Sequence, residues 1–149
     1  ARFFDDKYLY AGLTYNAHAL SCAAALATID VYTEDGLIDN AAKVGKHLGK
    51  RLEEIKRKHP SVGDVRYIGL FSALELVLDR ETKEIVPAAK MGALGKYLRE
   101  NGLFTFIMAN SMGSILFVVP PLCITTKQLD EGLEIIEKAL SATVDQEVR

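Results

Sequence analysis

The chain contains no tryptophan, and only two cysteines and four prolines among 149 residues. The cysteines, Cys22 and Cys123, lie far apart and show no metal-ligand spacing. That excludes a zinc framework and gives no sign of a disulfide scaffold. Each sits in an apolar run, so a buried free thiol is expected, and with it an intracellular, reducing compartment. No run of about 18 apolar residues occurs, which excludes a membrane-spanning helix. No signal-peptide pattern is visible either, so a cytoplasmic protein is expected. Excess charge of one sign is missing: 18 basic and 20 acidic residues leave a net charge of −2. Without a strong basic field, no nucleic-acid partner is expected. The standard catalytic signatures G-x-S-x-G, the Walker loop, H-E-x-x-H and G-x-G-x-x-G are absent. The three histidines, His18, His47 and His59, fall on separate elements, so no metal site is assigned.

What is present is a globular balance, 49% hydrophobic and 26% charged. A chain of this length buries about two thirds of its unfolded surface, enough for a core without staples. It begins Ala1-Arg2-Phe3-Phe4 rather than with Met, as a processed product or a piece of a longer chain would.

Residues 1–16 are aromatic-rich and aperiodic, and read as a loop or short extended segment. From Ala17 to Tyr32 only His18, Ser21, Thr28 and Asp30 are polar. Ala and Leu favour a helix here, stopped by Asp35-Gly36. A helix apolar nearly all round must be covered on nearly all sides. Leu37 to Lys58 is a half-buried helix, with Ile38, Ala41, Val44, Leu48, Leu52 and Ile55 on one face and Pro60 closing it. Val62 to Leu78 reads as one or two strands, with a bulge or close backbone approach at Gly69. Asp79-Arg80-Glu81-Thr82 is a turn. Pro87 can take the first position of a third helix, with Met91, Leu94 and Leu98 inward and Asn101-Gly102 as its stop. Leu103–Met108 and Ser114–Val119 read as strands joined by a hairpin over Asn110-Ser111-Met112-Gly113. Thr125 and Gln128 have capping-box spacing ahead of a last helix, Lys127 to Ala142, with Leu129, Leu133, Ile136 and Leu140 inward. The polar tail beyond Ala142 is expected to fray.

The order is helix, helix, strand, helix, strand, strand, helix. Helices mixed with a small sheet predict an α+β fold, a two-layer sandwich that is mostly antiparallel. No internal repeat, low-complexity stretch or linker divides it.

Three stretches carry a family resemblance. Gly12-Leu13-Thr14-Tyr15-Asn16-Ala17-His18-Ala19-Leu20, followed by Ser21-Cys22-Ala23-Ala24-Ala25-Leu26-Ala27, resembles the G-x-T-[YF]-x-G-H-P-x-x-x-A-A-A segment of class III aminotransferases. Val62-Gly63-Asp64-Val65-Arg66, with Gly69-Leu70-Phe71 and Leu74-Glu75-Leu76, is similar to the family's V-x-D-V-R-x-x-G-L-x-x-x-x-E-L stretch. Val119-Pro120-Pro121-Leu122-Cys123-Ile124-Thr125, with Leu129-Asp130-Glu131-Gly132-Leu133, resembles its closing P-P-L-x-I-T segment and final helix. Members of this family are pyridoxal-phosphate (PLP) enzymes of the aspartate-aminotransferase fold, including 4-aminobutyrate, β-alanine and taurine:pyruvate aminotransferases.

The resemblance implies the C-terminal third of such an enzyme. Residues 1–32 would be the end of the PLP-binding domain plus a connecting apolar helix. Residues 33–149 would be the small C-terminal domain of the fold-type I architecture. In the family, the lysine that forms a Schiff base with the cofactor and the Asp that pairs with the pyridine nitrogen both precede the matching region. None of the eleven lysines, Lys7 included, stands in a matching motif. No catalytic residue is therefore assigned. Thr14 matches the threonine that reaches the cofactor phosphate of the neighbouring subunit, and Tyr15 would help shape that pocket. A hydroxyl at a loop-to-helix junction suits an anion, although a plain helix-start threonine would look the same.

Other positions depart from the family or carry plainer roles. His18 matches the histidine of G-H-P, but Ala17 and Ala19 replace its neighbours, and a core histidine with a satisfied ring is expected. Arg66 and Glu75 are expected to form a structural ion pair, because buried strand charges persist only when partnered. Met108 falls near a position where many relatives carry an arginine for the substrate carboxylate. A thioether cannot supply those donors, so the substrate is left unassigned.

The chain is thus expected to be a fragment of an enzyme that moves an amino group from an ω-amino acid or amine to a keto acid. Alone it would be inactive and without bound PLP. Its bare apolar helix implies a homo-oligomer (a dimer) or a separate N-terminal chain bearing the PLP domain. Two alternatives stand beside this: one chain of a split aminotransferase, and a non-catalytic binding or structural module.

Overall fold

The computed structural model describes residues 2–148, which fall into two compact units that divide between Asp35 and Gly36.

The first unit holds a short 3-10 turn, Arg2–Phe4, and helix α1, Ala19–Glu34. The helix starts two residues later than the composition suggests. Ala17 takes a left-handed backbone (φ +54°), and His18 caps the helix by accepting the Ser21 N–H at Nδ1, 3.5 Å away. The sequence reading of His18 as a core histidine is therefore corrected: it is an exposed cap. Every described residue of this unit is exposed, including Leu20, Leu26 and Ile29. The two threonines of α1 bond back to its own backbone. Thr28 donates to the Ala24 carbonyl at 2.8 Å and Thr33 to that of Ile29 at 3.0 Å.

The second unit opens with α2, Leu37–Lys58, its bounds as read from the periodicity. Val44, Leu48, Leu52 and Ile55 are buried as expected, while Ile38 in the first turn is exposed. The apolar stretch that follows forms two strands, β1 (Val62–Ile68) and β2 (Phe71–Asp79), paired antiparallel. Gly69 is the turn between them rather than a bulge, with φ +55°. The register irregularity lies between Val62 and Asp64, at Gly63, where a Cβ would meet the Val77 methyls at 2.9 Å. A two-residue strand β3, Glu84–Ile85, adds to β2 after the Asp79–Thr82 turn. Helix α3, Ala88–Glu100, buries Met91, Leu94 and Leu98. Pro87 stands one residue ahead of it, at the cap.

Strands β4 (Ile107–Asn110) and β5 (Gly113–Val118) form the second hairpin, turning over Ser111 and Met112. The predicted strand began at Leu103, but residues 103–106 leave the ladder. Only the Phe106 carbonyl still accepts an N–H, from Phe117 at 3.0 Å, while the Thr105 hydroxyl donates to the Phe117 carbonyl. The path through the sheet is β1-β2-β5-β4, with every pairing antiparallel.

Helix α4, Thr126–Thr143, begins at the expected capping box: Thr125 Oγ1 accepts the Gln128 N–H at 3.3 Å, and Gln128 Oε1 accepts that of Thr125 at 3.1 Å. Leu74, Leu76 and Leu116 of the sheet join the inward faces of α2, α3 and α4 in one core. This is the α+β, two-layer arrangement that the pattern predicts. The tail does not fray where expected. Val144 is buried, and Asp145–Glu147 forms a 3-10 turn anchored by its carboxylates, Asp145 to Ser61 and His59, Glu147 to Lys90.

The buried thiols are also corrected: both cysteines are exposed. Cys22 rides on the bare helix α1. Cys123 points out of a turn whose flanking carbonyls, Leu122 and Ile124, are held by the Asn40 amide at 2.7 and 3.1 Å. No helix among the described residues is long and apolar enough to cross a membrane.

Candidate functional site

Three places carry chemistry, and each is built differently. The first is the loop before α1. Residues Leu13 to Asn16 close a turn, with the Asn16 N–H donating to the Leu13 carbonyl at 3.0 Å. Thr14 sits inside that turn, and its hydroxyl makes no hydrogen bond among the described residues. Tyr15 is 86% exposed. A few residues on, the first-turn N–H groups of α1, Ala19 and Leu20, have no intrahelical acceptor by the geometry of any helix start. A free hydroxyl and open N–H groups fit one side of a phosphate dianion. They do not enclose it, since every residue here is exposed. Lys7 offers no amine to this loop; its ammonium lies over the Phe3 ring, 4.8 Å from the centroid.

The second place is an apolar cleft of about 280 Å³ between the 103–106 segment, the end of β5 and α4. Phe104 and Phe106 stand at its exposed lip, and Leu129, Leu133 and Ile136 form its floor. It contains no titratable group, so it can hold an apolar moiety but cannot move a proton.

The third place was not singled out by the sequence reading. His59 is only 2% exposed and presents Nδ1 to Asp145 Oδ2 at 2.6 Å. Asp145 Oδ1 accepts the Ser61 hydroxyl at 2.5 Å and its N–H at 3.3 Å. The far side of the ring faces Glu137 at 3.6 Å. Glu137 also pairs with Lys58 and, at 3.0 Å, with Arg51. Burial pushes the Glu137 carboxyl up, but the Lys58 hydrogen bond and the charges of Lys58 and Arg51 outweigh it, and the group is held below its usual value. No local spacing reveals this cluster, because His59 and Asp145 are 86 residues apart.

The remaining predicted positions have structural roles. Arg66 and Glu75 form the expected ion pair at 2.7 Å. It lies at the surface, not buried, because both side chains point to the open face of the β1–β2 hairpin. Beside it the Lys56 hydrogen bond holds the Asp64 carboxyl below its ordinary range. Met108 lies half-buried on β4, paired with Ile115. Among the described residues no group of three or more His, Cys, Asp and Glu side chains could hold a metal ion.

Residues 6–140 match the model for class-III aminotransferases, and the chain belongs to that family. It is 38% identical over 145 residues to an uncharacterized aminotransferase of Schizosaccharomyces pombe, covering 93% of this chain and 32% of that protein. A probable 4-aminobutyrate aminotransferase of Bacillus subtilis is 37% identical over 131 residues, 88% of this chain and 30% of its own length. Among solved structures, the taurine:2-oxoglutarate aminotransferase of Bifidobacterium kashiwanohense, determined with PLP and glutamate, gives a TM-score of 0.82 at 35% identity. That match covers 99% of this chain and 33% of that one. The fold is thus the α+β small-domain architecture of PLP-dependent transaminases, and the chain spans about a third of the length of the relatives it matches.

Proposed function

We propose that this chain is the C-terminal portion of a class III aminotransferase, supplying the small domain and the Thr14 loop to a larger enzyme. That enzyme would move an amino group from an ω-amino acid or amine to a keto acid. The observation carrying this reading is the family match over residues 6–140 by a chain about a third as long as its relatives. PLP, when bound, supplies the electron sink for breaking bonds at the amine-bearing carbon. The part of this chain is binding and enclosure. Thr14 donates its hydroxyl to the cofactor phosphate of a neighbouring subunit, assisted by the open N–H groups at the start of α1. Tyr15 packs beside that contact. The small domain, residues 33–149, closes over the substrate side and excludes water. Residues 1–32, the end of the PLP-binding domain with its apolar helix, lie at the subunit seam of a cytoplasmic dimer.

The chain by itself does not turn over substrate, since none of its lysines stands where the family's anchoring lysine does. The test is spectroscopic. The purified chain mixed with PLP is expected to show no borohydride-reducible band at about 400–430 nm, the region of a lysine-bound cofactor. Such a band would overturn the proposal. Mixing with a lysine-bearing N-terminal chain separates a split enzyme, which regains turnover, from a non-catalytic module, which does not. A Thr14→Ala change in the assembled enzyme is expected to weaken cofactor retention, and unchanged retention would count against the phosphate role.

A further inference from the structure

Resting on the reading of this chain as part of a larger aminotransferase, we propose that the PLP-binding domain of that enzyme covers the open face of the β1-β2-β5-β4 sheet. The strand pairings sort the sheet residues into two faces. Leu74, Leu76, Leu116 and Val118 join the helices in the core. Their neighbours along each strand point the other way, in three rows across the sheet. Asp64, Glu75, Ile115 and Met108 form the first row. Arg66, Ala73 and Phe117 form the second, and the Phe106 ring continues it, its centroid 5.5 Å from that of Phe117. Ile68 and Phe71 form the third. Val119, two residues after Phe117, extends the alternation of β5 past its last paired residue.

An antiparallel sheet that meets water on one side normally carries polar residues there. This one is charged only at its β1–β2 corner, and that corner is already balanced. Glu75 pairs with Arg66 at 2.7 Å and Asp64 with Lys56 at 2.9 Å, so no charge there awaits a partner. Toward β5 and β4 the rows turn apolar. Ile68, Phe71, Phe106 and Val119 are 78%, 56%, 67% and 54% exposed. With about 150–250 Å² for a whole aromatic side chain, and less for an aliphatic one, the face leaves on the order of 500 Å² of apolar surface in water.

That size selects the occupant. A stable dimer of free chains buries about 800 Å² on each partner, more than this face offers. Contacts between domains of one protein hold at about 600–1,500 Å², and this face with its mate would bury on the order of 1,000 Å². They can be smaller because a tether raises the effective concentration of the two halves. The relatives matched are about three times as long as this chain, which leaves room in them for a unit of that kind. Phe106, Phe117 and Val119 also line the apolar cleft of about 280 Å³. An anchoring side chain from the partner therefore has a pocket to fill.

The experiment is a calorimetric titration of this chain with a separately made PLP-domain chain bearing the family's lysine, alongside sizing chromatography of this chain alone. Phe71→Asp and Phe106→Asp each set a charge in the face. Each is expected to raise the Kd about tenfold or more, because a carboxylate buried without a partner is costly. Ala93→Asp, on the exposed side of α3, is expected to leave the Kd within about twofold. Binding that neither phenylalanine change weakens would overturn the docking face and leave the transaminase reading standing. No binding by the unaltered chain would overturn both. Self-association of the unaltered chain that Phe106→Asp abolishes would give the face to a second copy, against the proposal. Both phenylalanines are more than half exposed, so the variants are expected to fold. Should they not, hydroxyl-radical footprinting of the unaltered chain decides. Phe71 and Phe106 must slow about tenfold on assembly while Tyr97 of α3 keeps its rate; equal slowing of all three, or none, rejects the proposal.

Discussion

Gly45 of α2 lies directly against Gly69 at the β1–β2 turn: a Cβ on Gly45 would stand 2.6 Å from the Gly69 Cα. Glycine inside a helix normally costs about 0.8–1 kcal/mol relative to alanine. Here the close approach of two backbones reverses the sign, because neither can move aside as a side-chain end could. Gly45→Ala is expected to destabilise the chain by about 1–3 kcal/mol through overpacking. The control is Gly92 in α3, where a Cβ meets nothing within 4 Å. Gly92→Ala should stabilise by about 0.5–1 kcal/mol. Chemical denaturation of the two variants measures both, and equal signs would refute the argument.

Acid should weaken the α2–α4 seam through Glu137. Its carboxyl sits below its usual value, burial pushing it up less than Lys58 and Arg51 pull it down. A depressed carboxyl contributes stability that is present above the unfolded value and lost as pH falls through the folded one. Stability should therefore decline below the ordinary glutamate range of about 4.3, and Glu137→Gln should flatten that decline. The same change is expected to cost about 1.5–3 kcal/mol at neutral pH, the usual worth of hydrogen bonds to a charged group. Denaturant midpoints measured from pH 6 down to pH 3 (about three units across the carboxylate range) give both quantities.

The parts of the fold legible in the sequence are those set by local rules. The α2 periodicity, the Asn101-Gly102 stop and the Thr125–Gln128 box each follow from residues within a turn or two of one another. The Thr14 loop was legible only as a match to a family pattern, since a free hydroxyl before a helix looks like any helix start. What escaped depends on distant partners. The tail of α4 reads as polar and frayed until Asp145 is seen to meet Ser61 and His59. The cysteines read as buried because apolar neighbours suggest a core. Cys22, however, belongs to a helix whose own unit covers none of it. The 103–106 segment has strand composition, yet its pairing stops at the Phe106 carbonyl, and composition does not encode where a ladder ends.

The capping box at α4 offers a sharp local test. Thr125 satisfies the Gln128 N–H while Gln128 satisfies that of Thr125, so the pair closes two otherwise orphaned donors. Thr125→Ala is expected to cost about 1 kcal/mol, and Thr125→Ser or Thr125→Asp to restore most of it. Thermal unfolding of the three variants is the measurement. An alanine variant as stable as the parent would mean that packing of Leu129 and Leu133 alone fixes where the helix begins.

Helix α1 has the chemistry of a helix made to be covered, and Cys22 reports whether it is. Leu20, Leu26 and Ile29 are more than half exposed, at 75%, 63% and 58%. Thr28 and Thr33 hide their hydroxyls on the helix backbone at 2.8 and 3.0 Å instead of offering them to water. An apolar surface of this kind is stable in water only when another surface meets it. If the proposed assembly forms, Cys22 becomes shielded, whereas Cys123, in the loop before α4, stays open. Labelling with a thiol reagent should accordingly modify both cysteines in the dilute chain. On assembly with a second copy or with the PLP-domain chain, Cys22 should slow by about tenfold or more while Cys123 keeps its rate, tenfold corresponding to about 1.4 kcal/mol of protection. Equal slowing of both thiols would point to non-specific aggregation. Unchanged labelling of Cys22 in an assembly that sizing proves to exist would place the contact elsewhere and leave α1 without a partner.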